Sequence, residues 1–247
     1  MDLSHVRDLY DREQRINLVV PGASVEAAGP VVRLLRPPPG MNIVTHSRLE
    51  PATADAVIAA QVAELRQRGQ PFSWRLYDHD PWPGLADRLA AHGFVADTPD
   101  PVLVLPIEAA PADRAAPEPA VRLRRLSEPA ELTAVAAVEE QVWGGDFSWL
   151  PPRLAAQMAE PGCLSVYVAE VDGEPAAVGW ITFHPNSQFV TLYGGSTVER
   201  HRRRGLYGAL LAVRLAEAHR RGRRFALIEP SEDSEPLVRK LGFQLLT

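Results

Sequence analysis

The segment Ser196–Leu211, STVERHRRRGLYGALL, constrains this chain more than any other part of its sequence. It is typical of a strand end, a turn rich in arginine and glycine, and an amphipathic helix. Gly205 and Gly208 let the backbone approach a ligand closely. The start of the helix directs its free N–H groups and the positive end of the helix dipole at the turn. Arg202–Arg204 add cationic hydrogen-bond donors. The segment predicts a phosphate or pyrophosphate cradle; an ordinary loop with solvated arginines is the alternative.

Composition and spacing argue against several classes of protein. The only lysine is Lys240, so the motif G-x-x-x-x-G-K-S/T is absent, and G-x-G-x-x-G does not occur. Cys163 is the only cysteine, which excludes an intrachain disulfide and argues against a zinc site; we expect no metal. A net charge of −5 with 46% hydrophobic residues indicates a soluble globular protein rather than a general nucleic-acid binder. No signal core or membrane span is recognisable, so we expect a cytoplasmic protein.

Residues 1–107 are predicted to form a first domain of strands and helices. Its expected strands are 31–35, 41–45, 72–77 and 102–107, and its expected helices lie within 1–20, at 53–68 and at 85–91. Residues 108–120 are rich in alanine and proline and have no periodicity, which is typical of an inter-domain linker.

Residues 121–247 are predicted to form a second domain. The expected order is strand 121–126, a helix beginning near residue 127, a hairpin of 164–171 and 176–184, strand 189–198, helix 206–219, strand 225–228, and a short helix around residue 237 before a last strand. The hairpin turns at Asp172-Gly173, a pair that suits a tight turn. Gly194-Gly195 inside a strand predicts a bulge or a splayed edge.

The two halves resemble each other at two places. Ala63–Phe72 is similar to Ala216–Phe225, and Leu89–Phe94 is similar to Val238–Phe243. Under this alignment the cradle falls on Leu49–Asp55, which has neither its glycines nor its arginines. We therefore expect a repeat whose first copy lacks the cradle; chance similarity between amphipathic helices is the alternative.

The order of elements in residues 121–247 resembles the GNAT family of acyl-CoA-dependent N-acetyltransferases. The family cradle reads Gln/Arg-x-x-Gly-x-Gly/Ala; Arg202–Tyr207 matches it except at the last position, where Tyr207 stands before Gly208. The closing pattern L-Y-x-x-x-G-F appears as Leu237–Phe243. The resemblance extends to residues 1–107 as a degenerate copy. It implies an α/β (α+β) fold of two mixed-sheet domains, each with a mostly antiparallel sheet flanked by helices.

The resemblance also implies a function for the second domain. It would transfer an acetyl group from acetyl-CoA to a primary amine by direct attack, with a structural first domain that binds no cofactor. The pyrophosphate would lie on the cradle and the pantetheine arm along the end of the bulged strand. The implied cofactor-binding residues are Thr197, Val198, Arg202, Arg203, Arg204, Gly205, Leu206, Tyr207, Gly208 and Ser231.

The catalytic residues are where this chain departs from the family. The tyrosine of the closing pattern, which often protonates the leaving thiolate in relatives, is Val238 here, and the strand glutamate of some members would fall near Thr191. We therefore consider Tyr193 as the thiolate acid and Glu229 as a base. A half-buried strand tyrosine and a solvated strand end are the alternatives. An acyl-CoA-binding sensor without turnover is the alternative function.

The acceptor and the partners are less constrained by the sequence. The candidates for binding a cationic amine or lining its pocket are Glu139, Glu140, Asp146, Trp143, Phe147 and Trp149; a solvated helix face and core packing are the alternatives. The acceptor is a small-molecule amine or a peptide N-terminus, and the protein is a monomer or a homodimer. For the arginines of 220–224, stabilisation of the negative C-terminal end of a helix dipole is a better explanation than nucleic-acid binding. Relatives continue past Gly242-Phe243 into one more strand, which the first half or a partner subunit would have to supply here.

Overall fold

The computed structural model of the protein describes residues 1–38, 40–109 and 121–247. The predicted linker, residues 108–120, lies outside the described residues except for its first two positions. The chain divides into two compact units, one of Met1–Pro101 with Leu246–Thr247 and one of Val102–Leu245.

The first unit contains a four-stranded mixed sheet in the order β1-β2-β3-β4. Its elements are α1 (Leu3–Tyr10), a π-helical segment (Asp11–Ile16), β1 (Ser24–Ala28), β2 (Val31–Leu35), β3 (Asn42–Ser47), α2 (Ala54–Gln67), β4 (Phe72–Trp74) and α3 (Leu85–Ala91). Strands β1, β2 and β3 are antiparallel neighbours, and β4 is parallel to β3. Ile58 and Leu65 of α2 and Leu89 of α3 are buried in the core of this unit. The sequence did not predict β1, because SVEAA contains a single β-branched residue, and alanine and glutamate are depleted in strands.

The second unit contains a seven-stranded mixed sheet in the order β11-β5-β10-β9-β8-β7-β6. Its elements are β5 (Leu103–Pro106), β6 (Val121–Leu126), α4 (Thr133–Trp143), α5 (Leu150–Met158), β7 (Leu164–Val171), β8 (Glu174–Phe183), β9 (Phe189–Thr197), α6 (Leu206–Arg220), β10 (Phe225–Ile228), α7 (Glu235–Lys240) and β11 (Gln244–Leu245). The predicted hairpin is confirmed, with Asp172 (φ 52°) and Gly173 (φ 85°) in the turn between β7 and β8.

Side-chain alternation along β7 and β8 separates two cores in this unit. Val166 and Val178 pack in a cluster with residues of α4 and α5. Ala169 and Ala177 pack in a cluster with residues of α6 and α7. The sheet is therefore covered on both faces, with α4 and α5 on one side and α6 and α7 on the other.

Strand β5 lies inside the second sheet, antiparallel to both β10 and β11. The sequence-based division after residue 107 grouped this strand with the first domain, whereas the structure divides the chain between Pro101 and Val102. Leu103, Val104 and Leu105 are each at most 1% exposed, as in an interior strand covered on both faces. A strand from the first half of the chain, and not one from a partner subunit, thus lies beside the closing strand β11.

The order of elements in the first unit repeats that of the second. In each, a helix and a strand parallel to the preceding one are followed by a short helix: β3-α2-β4-α3 and β9-α6-β10-α7. The pairs of segments that resemble each other in sequence occupy equivalent elements, since Phe72 begins β4 and Phe225 begins β10. The repeat predicted from the sequence is therefore present in the structure.

Candidate functional site

Strand β9 carries a bulge of two glycines near its end. Gly194 pairs with Gly179 of β8, but Ser196 pairs with Val178, so Gly195 is the extra residue. Both glycines have positive φ, 66° and 87°. A Cβ on Gly194 would lie 2.5 Å from the Trp180 ring, and one on Gly195 would lie 2.8 Å from the Tyr207 ring. Glycine is required here both by backbone conformation and by space, which confirms the predicted bulge.

The bulge adjoins an open edge of β9. Strand β10 pairs with β9 only from Phe225–Leu227 to Phe189–Thr191, whereas β9 continues to Thr197. Beyond Thr191 the two parallel strands separate, and the backbone of β9 on that side has no strand neighbour within the described residues. Such an edge can form hydrogen bonds with an extended ligand.

The turn into α6 follows directly after this edge. Arg203 (φ 64°) and Gly205 (φ 77°) have left-handed backbone conformations, and Gly205 is the N-cap residue of α6. No side chain in the described part of the chain caps this helix start. A Cβ on Gly205 or Gly208 would have no atom within 4 Å. The start of this 15-residue helix therefore has no side-chain cap and adjoins open space next to the exposed Arg202 and Arg203, an arrangement typical of anion sites.

Arg214 of α6 holds the two strands that form the bulge. Its guanidinium is 1% exposed; Nη1 donates to the carbonyl oxygens of Trp180 (3.2 Å) and Tyr193 (3.0 Å), and Nε donates to that of Leu210 (3.0 Å). A Cβ on Gly179 would lie 2.8 Å from Cζ of this guanidinium. The sequence analysis missed Arg214. The signal was an arginine on the apolar face of the helix, one turn after Leu210.

Glu139 of α4 reaches the same strand from the opposite face of the sheet. Its side chain is 4% exposed, and Oε2 accepts a hydrogen bond from Ser196 Oγ at 2.9 Å. Trp143 Nε1 donates to the same Oγ at 3.1 Å. Burial raises the pKa of the Glu139 carboxyl above its usual value, and the hydrogen bond from Ser196 and the nearby N–H dipole of Trp143 offset only part of that rise. The solvated helix face considered for Glu139 from the sequence is therefore wrong.

The family assignment rests on a match to this unit. The sequence profile of the acetyltransferase (GNAT) family matches residues 125–243. The second unit belongs to the GNAT family. This region includes the bulge, the open strand edge and the turn into α6.

Solved structures extend the likeness to the whole chain. A GCN5-related N-acetyltransferase from Kribbella flavida is 19% identical with a TM-score of 0.72, over 99% of this chain and 92% of that one. A tandem GNAT protein from the clavulanic acid biosynthesis pathway is 16% identical with a TM-score of 0.61, over 99% and 85%. A conserved protein of unknown function from Staphylococcus epidermidis is 12% identical with a TM-score of 0.63, over 93% and 92%. No curated protein sequence matches the chain. The predicted GNAT fold, with two mixed sheets flanked by helices, is confirmed.

The residues predicted to bind the cofactor of the GNAT domain cluster at two places. Arg202–Gly208 form the turn and first helical turn of α6; the side chain of Leu206 is 1% exposed in the core, so that only its backbone faces the turn. Thr197 ends β9, and its carbonyl oxygen accepts from Arg202 Nε at 3.3 Å. Ser231 lies separately, in the exposed turn before α7, where its carbonyl oxygen accepts from the N–H of Glu235 at 2.9 Å.

Both backbone polar groups of Val198, another predicted cofactor-binding residue, have hydrogen-bond partners within the protein. Its N–H donates to Ala176 at 2.9 Å, its carbonyl oxygen accepts from His201 at 2.8 Å, and its side chain is 4% exposed. The backbone of Val198 is thus engaged within the protein, because the chain turns away from β9 at this residue. The open edge that remains for a ligand is that of residues 192–197.

The catalytic candidates lie near the point where β9 and β10 separate. Tyr193, 43% exposed, directly precedes the bulge, and its ring stacks on Trp180 at 6.4 Å between centroids. Glu229 is exposed and follows the last residue of β10. Val238 is fully buried in the core with α6, so its position offers neither an acid nor access to one.

Of the three aromatic residues proposed for the acceptor side, Phe147 packs against the core below α4 and α5, whereas the two tryptophans are exposed. Trp143 is 59% exposed and Trp149 is 51% exposed, with the Trp149 ring stacked on that of Phe147 at 6.0 Å. Glu140 accepts from the Phe147 N–H at 3.3 Å, and Asp146 accepts from the Ser148 N–H at 2.8 Å. Both acids therefore shape the loop after α4.

His184 lies against the last paired residue of the β9 ladder. Its Nε2 is 2.8 Å from Oγ1 of Thr191. Burial, with a smaller contribution from the positive charge of Arg223, lowers the pKa of His184 to about 4. The imidazole is therefore neutral at neutral pH. The sequence analysis did not predict this contact.

The arginines that follow α6 bind protein groups. Arg221 pairs with Glu217 at 2.5 Å and lies over the Phe183 ring, and Arg224 donates to Gln188 Oε1 at 2.7 Å. Arg223 donates to the carbonyl oxygen of Ser187.

Within the described ranges, no helix is long and apolar enough to cross a membrane, and no cluster of acidic, histidine or cysteine side chains could hold a metal ion.

The bulge predicts a measurable difference between two glycines of similar conformation. Replacing Gly195 (φ 87°) by alanine should destabilise the protein by about 1–3 kcal/mol more than replacing Gly173 (φ 85°), because only at Gly195 does the new methyl group overlap another side chain, Tyr207. The cost of the positive φ is common to both variants and cancels. Urea unfolding of Gly195→Ala and Gly173→Ala gives the difference; equal free energies of unfolding would contradict the tight packing of Tyr207 on the bulge.

Proposed function

We propose that the GNAT domain is an N-acetyltransferase that moves an acetyl group from acetyl-CoA to a primary amine by direct attack. The observation that carries the proposal is the sequence of three features along β9: an open strand edge, a two-glycine bulge, and the uncapped start of α6. The match of residues 125–243 to an acetyltransferase family supports the same chemistry. We expect the protein to act in the cytoplasm, as a monomer or homodimer, on a small-molecule amine or a peptide N-terminus.

The proposed acetyl-CoA site fits the groups around this strand. The pyrophosphate would accept hydrogen bonds from the N–H groups of Arg203–Gly208, where a Cβ on Gly205 or Gly208 would meet open space. Arg202 and Arg203 are exposed beside it and supply positive charge. The pantetheine arm would pair with the edge of β9 that β10 leaves open, and Ser231 would lie at the neighbouring turn.

The proposed acetyl transfer needs three things from the protein: placement of the amine next to the thioester, one site that stabilises the oxyanion, and groups that transfer protons. The lone pair of the amine attacks the thioester carbon and forms the C–N bond, while the carbonyl oxygen takes up negative charge. A backbone N–H of the bulge would stabilise this oxyanion. Collapse of the intermediate breaks the C–S bond, the thiolate takes a proton from an acid, and the ammonium loses one to a base.

Tyr193 is the proposed acid for the thiolate, because it is exposed beside the bulge whereas Val238 is buried. Glu229, which follows β10 at the separation of the strands, is the proposed acceptor-side base. The cofactor site is supported by more observations than either of these roles.

Removing the Tyr193 hydroxyl tests its role directly. Tyr193→Phe should lower kcat by about 10- to 100-fold with little change in the affinity for acetyl-CoA, since general acid catalysis contributes at least that much. Tyr167→Phe is the control. It also removes a tyrosine hydroxyl, but that hydroxyl donates to the buried Glu217 at 2.7 Å and has no proposed part in the reaction. An unchanged kcat in Tyr193→Phe would transfer the acid role to another group or to water.

The function itself is tested in two steps. Calorimetry measures acetyl-CoA binding, and release of the CoA thiol is then followed with a broad panel of amines. Binding with amine-dependent thiol release supports the proposal. Binding without release above background for any amine would favour an acyl-CoA sensor, the alternative motivated by the burial of Val238. Absence of binding would overturn both.

A further inference from the structure

The pair formed by Glu139 and Ser196 is a buried carboxyl next to the bulge on which the proposed chemistry depends. Ser196 directly follows Gly195, and its Oγ donates to Glu139 Oε2 at 2.9 Å. The other oxygen, Glu139 Oε1, is buried without a hydrogen-bond partner among the described residues. A buried carboxyl with one unsatisfied oxygen costs free energy and calls for an explanation.

Among the described residues, no positive charge compensates this carboxyl. The influences on its pKa are burial, the hydrogen bond from Ser196 and the nearby N–H dipole of Trp143, with no charged group among them. The charged groups on neighbouring elements have other partners: Arg153 of α5 lies over the Trp149 ring, Glu131 before α4 pairs with Arg124, and Arg200 after β9 pairs with Glu174 of β8 and with Gln141. An uncompensated buried carboxylate is unfavourable until it gains a proton or a cation.

The hydroxyl of Ser196 has one acceptor site left. A serine hydroxyl can donate once and accept twice. It donates to Glu139 and accepts from Trp143 Nε1 at 3.1 Å, and the Trp143 bond fixes its orientation. The remaining lone pair can accept an N–H from a bound amine. The hydrogen bonds then run in one direction, from amine to Ser196 to Glu139, as proton transfer to the carboxylate requires.

We propose that Ser196 binds the attacking amine and that Glu139, acting through Ser196 and in place of Glu229, takes up the proton which that amine loses. This inference rests on the proposed acetyltransferase function and deepens it. As the C–N bond forms and the C–S bond breaks, the ammonium proton moves to Ser196 Oγ, and the proton of that hydroxyl moves to Glu139 Oε2. Glu139 later returns a proton to solvent. Glu139 is thus a proton-accepting positioning residue, and the acceptor lies on the α4 side of β9.

The pH dependence follows from the sign of the shift. The pKa of Glu139 is raised in the folded protein, so the folded state favours the protonated form. Stability contributed by that preference is present at low pH and declines as the pH rises from the ordinary glutamate pKa through the folded one. Activity should change in the opposite direction, because only the carboxylate accepts the proton. Both effects should disappear in Glu139→Gln, which keeps the hydrogen bond from Ser196.

The experiment compares Glu139→Gln and Ser196→Ala with the wild type and with Glu160→Gln, which changes an exposed glutamate of the same unit. Each protein is assayed for acetyl-CoA affinity, for kcat with the best amine between about pH 5 and 9, and for thermal unfolding over that range. We expect kcat to fall about 100-fold in both site variants, with acetyl-CoA affinity within about 2-fold, and the acid limb of the kcat profile to be lost in Glu139→Gln. Glu139→Gln should unfold at a higher temperature than the wild type at pH 8.

Each outcome decides the proposal. A wild-type pH profile in Glu139→Gln overturns it and leaves the acetyltransferase function intact. Parallel losses of acetyl-CoA affinity, thermal stability and kcat would overturn it in favour of a purely structural pair. If Glu139→Gln does not fold, Ser196→Ala decides by its kcat alone. A wild type that binds acetyl-CoA but releases no thiol with any amine removes the proposed function and this inference with it.

Discussion

Replacing Gly205 by valine is expected to raise the dissociation constant for acetyl-CoA by about 100-fold or more. Gly205 caps α6 with φ 77°, and no atom lies within 4 Å of where its Cβ would be. A β-branched side chain would project into the proposed phosphate space and disfavour the left-handed turn that aims the N–H groups. Loss of two charge-assisted hydrogen bonds, each worth about 1.5–3 kcal/mol, corresponds to at least that change in affinity.

Gly222 provides the matched control for this variant. It lies just beyond the other end of α6, with φ 69° and no atom within 4 Å of its Cβ position. Gly222→Val should carry a similar backbone cost and leave acetyl-CoA affinity unchanged. Calorimetric titration of both variants, with circular dichroism to confirm folding, separates strain from ligand contact. Unchanged affinity in Gly205→Val would place the pyrophosphate elsewhere.

Local sequence signals predicted the elements that surround this site. The Asp172-Gly173 turn, the run at 225–228 and the paired glycines 194–195 each predicted their element, because each pattern reflects backbone conformation or side-chain alternation within a few residues. The helix after Gly205 was also predicted to within one residue of its end, Arg220. The order of these elements, together with the motif at Arg202–Tyr207, was then the basis for the resemblance to the GNAT family.

The features that could not be predicted from the sequence depend on contacts between residues that are far apart along the chain. Glu139 resembles any solvated helix glutamate until Ser196, far along the chain, is placed against it. Arg214 resembles a surface cation until the carbonyl oxygens of Trp180 and Tyr193 surround its guanidinium. Strand β5 was visible as an apolar run, but an apolar run does not tell which sheet will bury it. In all three cases the partner lies outside the short window from which a local sequence pattern is read, since even the Tyr193 carbonyl oxygen is 21 residues away from Arg214.

The position of β5 in the second sheet changes how the result of a truncation at residue 107 should be interpreted. A structural role for the first half predicts that deleting residues 1–107 impairs the protein. Such a deletion also removes Leu103–Leu105, which are at most 1% exposed inside the second sheet. Among the described strands, β11 pairs with β5 alone, and one edge of β10 also pairs with β5. A failure of the truncated chain to fold would therefore say nothing about the first unit.

Two chains that differ by six residues separate these effects. We expect residues 102–247 to be soluble and to unfold cooperatively, and residues 108–247 to aggregate. Burial of one large apolar side chain contributes about 1.5–3 kcal/mol, so loss of Leu103, Val104 and Leu105 removes about 5–9 kcal/mol, comparable to the whole stability of a domain. The soluble fraction after expression and thermal unfolding by circular dichroism measure the difference. Equal melting temperatures for the two chains would show that β5 is dispensable, whereas a soluble 102–247 chain with impaired acetyl-CoA turnover would assign the deficit to the first unit itself.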